Sequence, residues 1–181
     1  MPNDNAENRE WFALWVYRNL VATVTEICRR DGLECYIPMR LREHFGDNGI
    51  EYREEPVITG LVFVKSTAGR LKELQRETSN RAIPYRNPGS SEPAAIDNRA
   101  MEIFMFVTRT GARTIEAVDA VMDRGDKVRV TDGLFKGAEG YIRRVNGTKR
   151  FVVAIEGIAA VAVTHIPRQF LEKIEQPAEQ V

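Results

Sequence analysis

The chain has 181 residues, with 26 Lys and Arg balanced by 26 Asp and Glu, and 43% of its residues are hydrophobic. That length holds one medium domain or two small ones, and the composition excludes disorder over the whole chain. Zero net charge excludes simple electrostatic adhesion to nucleic acid or membrane, and the balance holds by segment: residues 11–110 carry 14 basic and 13 acidic side chains, residues 125–181 nine and seven.

Residues 1–10 are polar and lack the apolar stretch of a secretory signal, so they read as a disordered tail. Trp11–Tyr17 is a strand by its aromatic and β-branched content. Its alternation sends Phe12, Leu14 and Val16 one way and Trp11, Ala13, Trp15 and Tyr17 the other. Both faces are apolar, which implies a central strand covered on both sides or one face that meets a partner. Asn19 is placed to cap a helix in which Leu20, Val21, Val24, Ile27 and Cys28 recur at helical spacing, and Gly32 ends it. Arg29 and Arg30 fall in its last turn, where cations suit the helix dipole.

Leu33–Leu41 returns to strand, with Pro38 marking an edge or a bulge. Residues 42–55 form a charged hairpin around Asn48-Gly49. Val57–Val64 is a nearly continuous apolar strand, as buried strands are. A short helix over Gly69–Glu77, a brief strand over Ile83–Arg86 and a loop over Asn87–Pro93 follow. A helix then runs over Ile96–Thr108, with Asp97 near its start. This order implies an α+β layer with an antiparallel sheet and flanking helices. Residues 111–124 are a connector able to carry a helical turn through Ile115, Val118, Val121 and Met122. From Gly125 onward, short strands at Lys127–Val130, Gly140–Val145, Phe151–Ile155 and Ala159–Ile166 alternate with Asp-Gly, Asn-Gly and Glu-Gly turns, the pattern of a small barrel.

Chemistry-bearing motifs are scarce. Cys28 and Cys35 stand seven apart with no companion pair, which makes neither a zinc site nor a CxxC motif and leaves two reduced thiols. The two histidines, His44 and His165, have no nucleophile or carboxylate at a catalytic spacing, and no phosphate loop is present. No enzyme, metal or cofactor is implied. The longest apolar stretch, Phe151–Ile166, contains Glu156, Gly157 and His165 and is shorter than the roughly 20 residues a bilayer requires, so a soluble, cytoplasmic protein is expected.

Gly125-Asp-Lys-Val-Arg-Val-Thr-Asp-Gly-Leu-Phe-Lys-Gly-Ala-Glu-Gly140 resembles a KOW motif, a strand and glycine turns found in SH3-like barrels. Trp11–Tyr17, the helix after it, Cys35-Tyr-Ile-Pro-Met39 and Glu55–Val64 resemble, in order, the N-terminal domain of NusG-type transcription elongation and antitermination factors. The implied organisation is a tail over 1–10, a polymerase-binding domain over 11–110, a linker over 111–124, a KOW barrel over 125–175 and a tail over 176–181. Cys35–Met39, Glu55-Pro-Val57 and Glu156–Val163 are closest to the specialised antiterminators of polysaccharide operons.

The resemblance implies a monomeric, non-enzymatic factor whose N-terminal domain docks on the clamp helices of the largest RNA polymerase subunit. The matching positions are Trp15, Ile58, Leu61 and Phe63, with Ser66 and Thr67 toward a second polymerase contact. Interior packing is the alternative for Trp15 and Phe63. Where the family has aromatic-Pro-Gly/Asn-Tyr this chain has Ile58-Thr-Gly-Leu61, so the surface is remodelled or Trp15 alone is its aromatic anchor. Tyr17, Arg18, Arg30 and the Ser79-Asn-Arg81 segment match the contact to the non-template DNA strand, cations beside an aromatic ring being suited to single strands. Helix capping is the alternative for Arg30. Ile158 matches the barrel position that recruits termination factor Rho or a small-subunit ribosomal protein, although Ile158–Val163 reads equally as a barrel strand. A rival reading, a KOW-containing RNA-binding or ribosome-associated translation protein, fits poorly with a neutral chain.

Overall fold

The computed structural model describes residues 8–47, 49–120, 125–163 and 165–174. Residues 1–7 and all of 176–181 of the expected tails lie outside this set, as do Val121 and Met122 of the expected helical turn. The chain divides into two compact units, one comprising the segments up to Pro38 and Ile58–Met101, the other Met39–Val57 and the chain from Glu102 onward. The fold is α+β with antiparallel sheets throughout, as expected.

The first unit is built on a five-stranded sheet. Strands β1 (Glu10–Val16), β2 (Glu34–Tyr36), β5 (Leu61–Ser66) and β6 (Ala82–Pro84) lie in the order β2-β5-β1-β6, and β7 (Ala95–Ile96) pairs with the start of β1. The even residues of β1 and β5 join helices α1 (Val21–Arg30) and α2 (Ala68–Glu77) in one core, with Phe12, Leu14, Val62 and Val64 against Val24, Cys28, Leu71 and Leu74. The odd residues Trp11, Ala13, Leu61 and Phe63 are buried as well, so at these positions the central strands are covered on both faces, one of the two outcomes the apolar alternation left open.

Two local details depart from the expected pattern. Asn19 does not cap α1; a 3-10 turn over Arg18–Leu20 feeds the helix, with Leu20 N–H donating to the Tyr17 carbonyl at 2.8 Å. The C-terminus follows expectation through Gly32, where Leu33 N–H reaches the Cys28 carbonyl at 2.9 Å. β5 is shorter than expected: Val57–Gly60 is turn rather than strand, because Gly60 sits at φ +81° and Leu61 N–H folds back toward the Ile58 carbonyl. Helix α3 (Asn98–Thr110) begins at Asp97, whose carboxylate accepts Ala100 N–H at 2.9 Å.

The second unit holds the hairpin of β3 (Met39–Gly46) and β4 (Gly49–Pro56) and a six-stranded sheet. The hairpin closes at Gly46 and Gly49 and is laced by Arg40–Glu55 and Tyr52–Glu43 hydrogen bonds. It was expected with the N-terminal domain, but Leu41 N–H bonds the Ala112 carbonyl at 2.8 Å and Arg113 stacks 4.7 Å over the Tyr52 ring. The sheet runs β13-β9-β10-β11-β12-β8, where β8 is Ile115–Val118, β9 Asp126–Val130, β10 Glu139–Val145, β11 Thr148–Ile155, β12 Ala159–Val163 and β13 Leu171–Lys173. β8 corrects the expected helical turn: Ile115 and Val118 are three apart, but pairing with Val163 and Ala160 makes the segment a strand. Gly140 is required where β10 crosses β11, since a Cβ there would meet the Val152 carbonyl oxygen at 2.5 Å. Every residue of β12 is buried, so Ala159–Val163 is a core strand.

Candidate functional site

One end of the first unit's sheet carries a patch that the fold leaves open. On the odd face of β1, Trp11 and Ala13 are buried but Trp15 is 44% exposed, and Tyr17 just beyond the strand is 52% exposed. Trp15 is paired with Leu61 on one side and with Ile83 of β6 on the other. Ile83, 39% exposed, belongs to the same patch and was missed at the level of sequence. The available signal was its flanking by Ala82 and Pro84, both buried, on a strand whose proline marks a sheet edge.

Gly60 fixes the geometry beneath Trp15. Val16 N–H donates to the Gly60 carbonyl at 2.7 Å, and a Cβ at Gly60 would lie 2.7 Å from the Val16 oxygen and 3.6 Å from the Trp15 ring. The indole therefore rests over bare backbone, with half-buried Ile58 two residues before that glycine. Arg81 arrives by another route. After α2, Ser79 and Asn80 adopt φ of 53° and 57°, turning the chain so that the Arg81 carbonyl accepts Tyr17 N–H at 3.4 Å. Trp15, Tyr17, Arg18, Ile83 and Arg81 thus adjoin along β1 and β6, with both arginines exposed. Chemically this is an aromatic and aliphatic surface flanked by two cations.

Several expected contacts are not on this surface. Leu61 and Phe63 are 1% and 0% exposed, and they serve as core. Phe63 packs its ring 6.5 Å from that of Tyr36. Ser66 is 1% exposed and its hydroxyl donates to the Thr67 carbonyl. Thr67 is half-buried and caps α2 by accepting Arg70 N–H at 3.2 Å. Arg30 is separated from Tyr17 by the length of α1, about 15 Å for ten residues. It bonds Asp31 at 2.8 Å and Glu77 at 2.9 Å, while Arg70 bonds the same two carboxylates. This cluster ties α1 to α2 and holds Asp31 down to about 2, chiefly through the Arg30 hydrogen bonds. Arg30 is a helix-pinning residue here.

In the second unit, Ile158 is half-buried in the tight turn between β11 and β12, its N–H bonded to the Ile155 carbonyl at 3.0 Å. Cys28 is buried and Cys35 half-buried, both free. Their thiols share a hydrogen bond that holds Cys28 below and pushes Cys35 above the ordinary thiol range. Among the described residues, no group of three or more His, Cys, Asp or Glu is placed to hold a metal ion, and no helix is long and apolar enough to cross a membrane.

Comparison with known proteins adds to this geometry. The family model described as NusG, transcription termination factor nusG, matches residues 9–105, more than half of the chain. A solved structure described as "Domain interaction in Thermotoga maritima NusG" is similar in fold, with a TM-score of 0.51 and 19% identity, covering 94% of this chain and 100% of that one. No curated protein matches the chain.

Proposed function

Because this chain belongs to the NusG family of transcription factors, we propose that it docks on RNA polymerase through the patch around Trp15 and suppresses pausing or termination during elongation. The observation that carries this reading is the exposure of Trp15 on a strand whose other large side chains are buried. A tryptophan kept 44% open over a glycine is poor core packing and a good anchor for an apolar partner surface. Ile58 and Ile83 extend that anchor, and the clamp helices of the largest polymerase subunit are the partner the family resemblance implies.

Tyr17, Arg18 and Arg81, adjoining the anchor, are the residues we assign to the exposed non-template DNA strand. A ring and two cations suit stacking and phosphate pairing. Their number is too small to hold DNA unaided, which fits a neutral protein that the polymerase carries to its strand. The β-rich unit, read as a KOW barrel, recruits Rho or a small-subunit ribosomal protein at the Ile158 turn. Service to long polysaccharide operons, as a monomer in the cytoplasm, is the finer assignment, and it is supported by Cys35–Met39 and Glu55-Pro-Val57.

Affinity purification of the tagged chain tests the docking step. Co-elution of the polymerase largest subunit, lost on Trp15→Ala but kept on Ile158→Ala, is the expected result. Equal recovery with both variants, or no polymerase at all, would overturn it.

A further inference from the structure

The six-stranded sheet has a second feature at its end away from Ile158, some 25 Å along the eight residues of β11. An open cavity of about 490 Å3 lies there among the starts of β9 and β11, the end of β12 and strand β13. Its floor is Val128, Phe151 and Val163, all buried, and half-buried Ile142, Ile166 and Leu171 form apolar walls. The volume suits one large side chain with its neighbours.

The rim is cationic. Lys149, Arg150, Arg168 and Lys173 line the cavity against one carboxylate, Asp126, in a chain whose charges cancel overall. Lys173 pairs with Asp126 at 2.9 Å and Arg150 with Glu116. Lys149 and Arg168 are exposed; Lys149 also acts on Asp126, at longer range than the Lys173 pair. Across the β10–β11 ladder, Arg144 stands opposite Lys149 and Arg143 opposite Arg150. Like charges directly opposed on a sheet destabilise it, and the Nε of Arg150 is buried with no hydrogen-bond partner. Two independent features thus ask for the same guest: an apolar floor, and a rim on which four cations face one lining carboxylate.

We propose that this cavity binds an acidic peptide segment, with one aliphatic or aromatic side chain between the half-buried Ile142, Ile166 and Leu171 walls and flanking carboxylates on Lys149 and Arg168. A single-stranded nucleic acid would also answer the charge. It would need an open aromatic platform for its bases, however, and Phe151, the one Phe, Tyr or Trp ring lining the cavity among the described residues, is 2% exposed. The site lies apart from both the Trp15 patch and the Ile158 turn and stands whether or not the polymerase reading does.

The test is an NMR titration of the 15N-labelled full chain at low salt with the peptide EELEE, with KKLKK, EEAEE and a dT12 oligonucleotide as comparators. EELEE should give saturable shifts at Lys149, Phe151 and Arg168 and leave Ile158 unmoved. EEAEE should bind at least about tenfold more weakly, and KKLKK not at all. The exposed charge reversals Lys149→Glu and Arg168→Glu should each weaken EELEE about tenfold without altering the far-UV spectrum. Absence of saturable shifts with EELEE, or affinities unchanged in both variants, would overturn the proposal. Displacement of EELEE by dT12 at equal or lower concentration would also overturn it and make the cavity a nucleic-acid site.

Discussion

Replacing Trp15 with alanine separates docking from packing, because the structure divides the side chain between the two. A tryptophan side chain offers about 250 Å2, so 44% exposure leaves about 110 Å2 open to a partner. At ~25 cal/mol per Å2, covering that area contributes roughly 2.7 kcal/mol, or about a hundredfold in dissociation constant. The same arithmetic bounds the lost internal packing at about 3.5 kcal/mol, below the roughly 5–15 kcal/mol that holds a typical domain together. The variant should therefore remain folded while losing its partner. Biolayer interferometry on immobilised RNA polymerase measures the first quantity and urea unfolding the second. Binding within about threefold of the parent, with the expected fall in urea midpoint, would make Trp15 a packing residue and refute the reasoning. Loss of the cooperative transition would do the same by making it core.

Gly60→Ala should cost about 1–3 kcal/mol in urea unfolding, since alanine at φ +81° is strained and its Cβ would press on the Val16 carbonyl; polymerase affinity should fall with it as the indole is displaced. Asp31, held near 2 from an ordinary 3.8, contributes stability that is complete above pH 3.8 and fades as pH drops through 2. The gap in urea midpoint between the parent and Asp31→Asn should accordingly be widest above pH 4 and close toward pH 2; a gap independent of pH would disprove the ion-cluster assignment. Arg18→Ala with Arg81→Ala should leave polymerase affinity unchanged and reduce photocrosslinking to the non-template strand, whereas intact crosslinking would move the DNA contact elsewhere. Thiol titration should find Cys28 unreactive and Cys35 slow in the native state, with both reacting in urea; a fast native thiol would contradict the buried, hydrogen-bonded pair.

Features set by local chemistry were legible in the sequence. The alternation in Trp11–Tyr17, the spacing through Ile27 and Cys28, and the glycines at 46 and 49 each match an observed element at nearly its expected bounds. What was not legible depends on partners distant in the chain. Ile115 and Val118 satisfy helical spacing, and only the ladder to β12 makes them a strand. Leu61 and Phe63 share the face of Trp15 yet are buried, whereas Trp15 sits near the end of β1 over a glycine and stays open, a difference that parity does not carry. Ile83 lies on a three-residue strand, too short for a pattern to show. Arg30 reads equally as a helix cap or a phosphate ligand until Glu77, 47 residues away, is seen to hold it. The cavity beside Lys149 was invisible for the same reason, since its wall is assembled from five strands and the segment after β12.

Transcription by purified polymerase through a defined pause site, with and without the full chain, bears most directly on the function assigned here. The chain should shorten the pause, and Trp15→Ala should remove the effect. An unchanged pause lifetime, at concentrations where the chain is retained on the elongation complex, would contradict it.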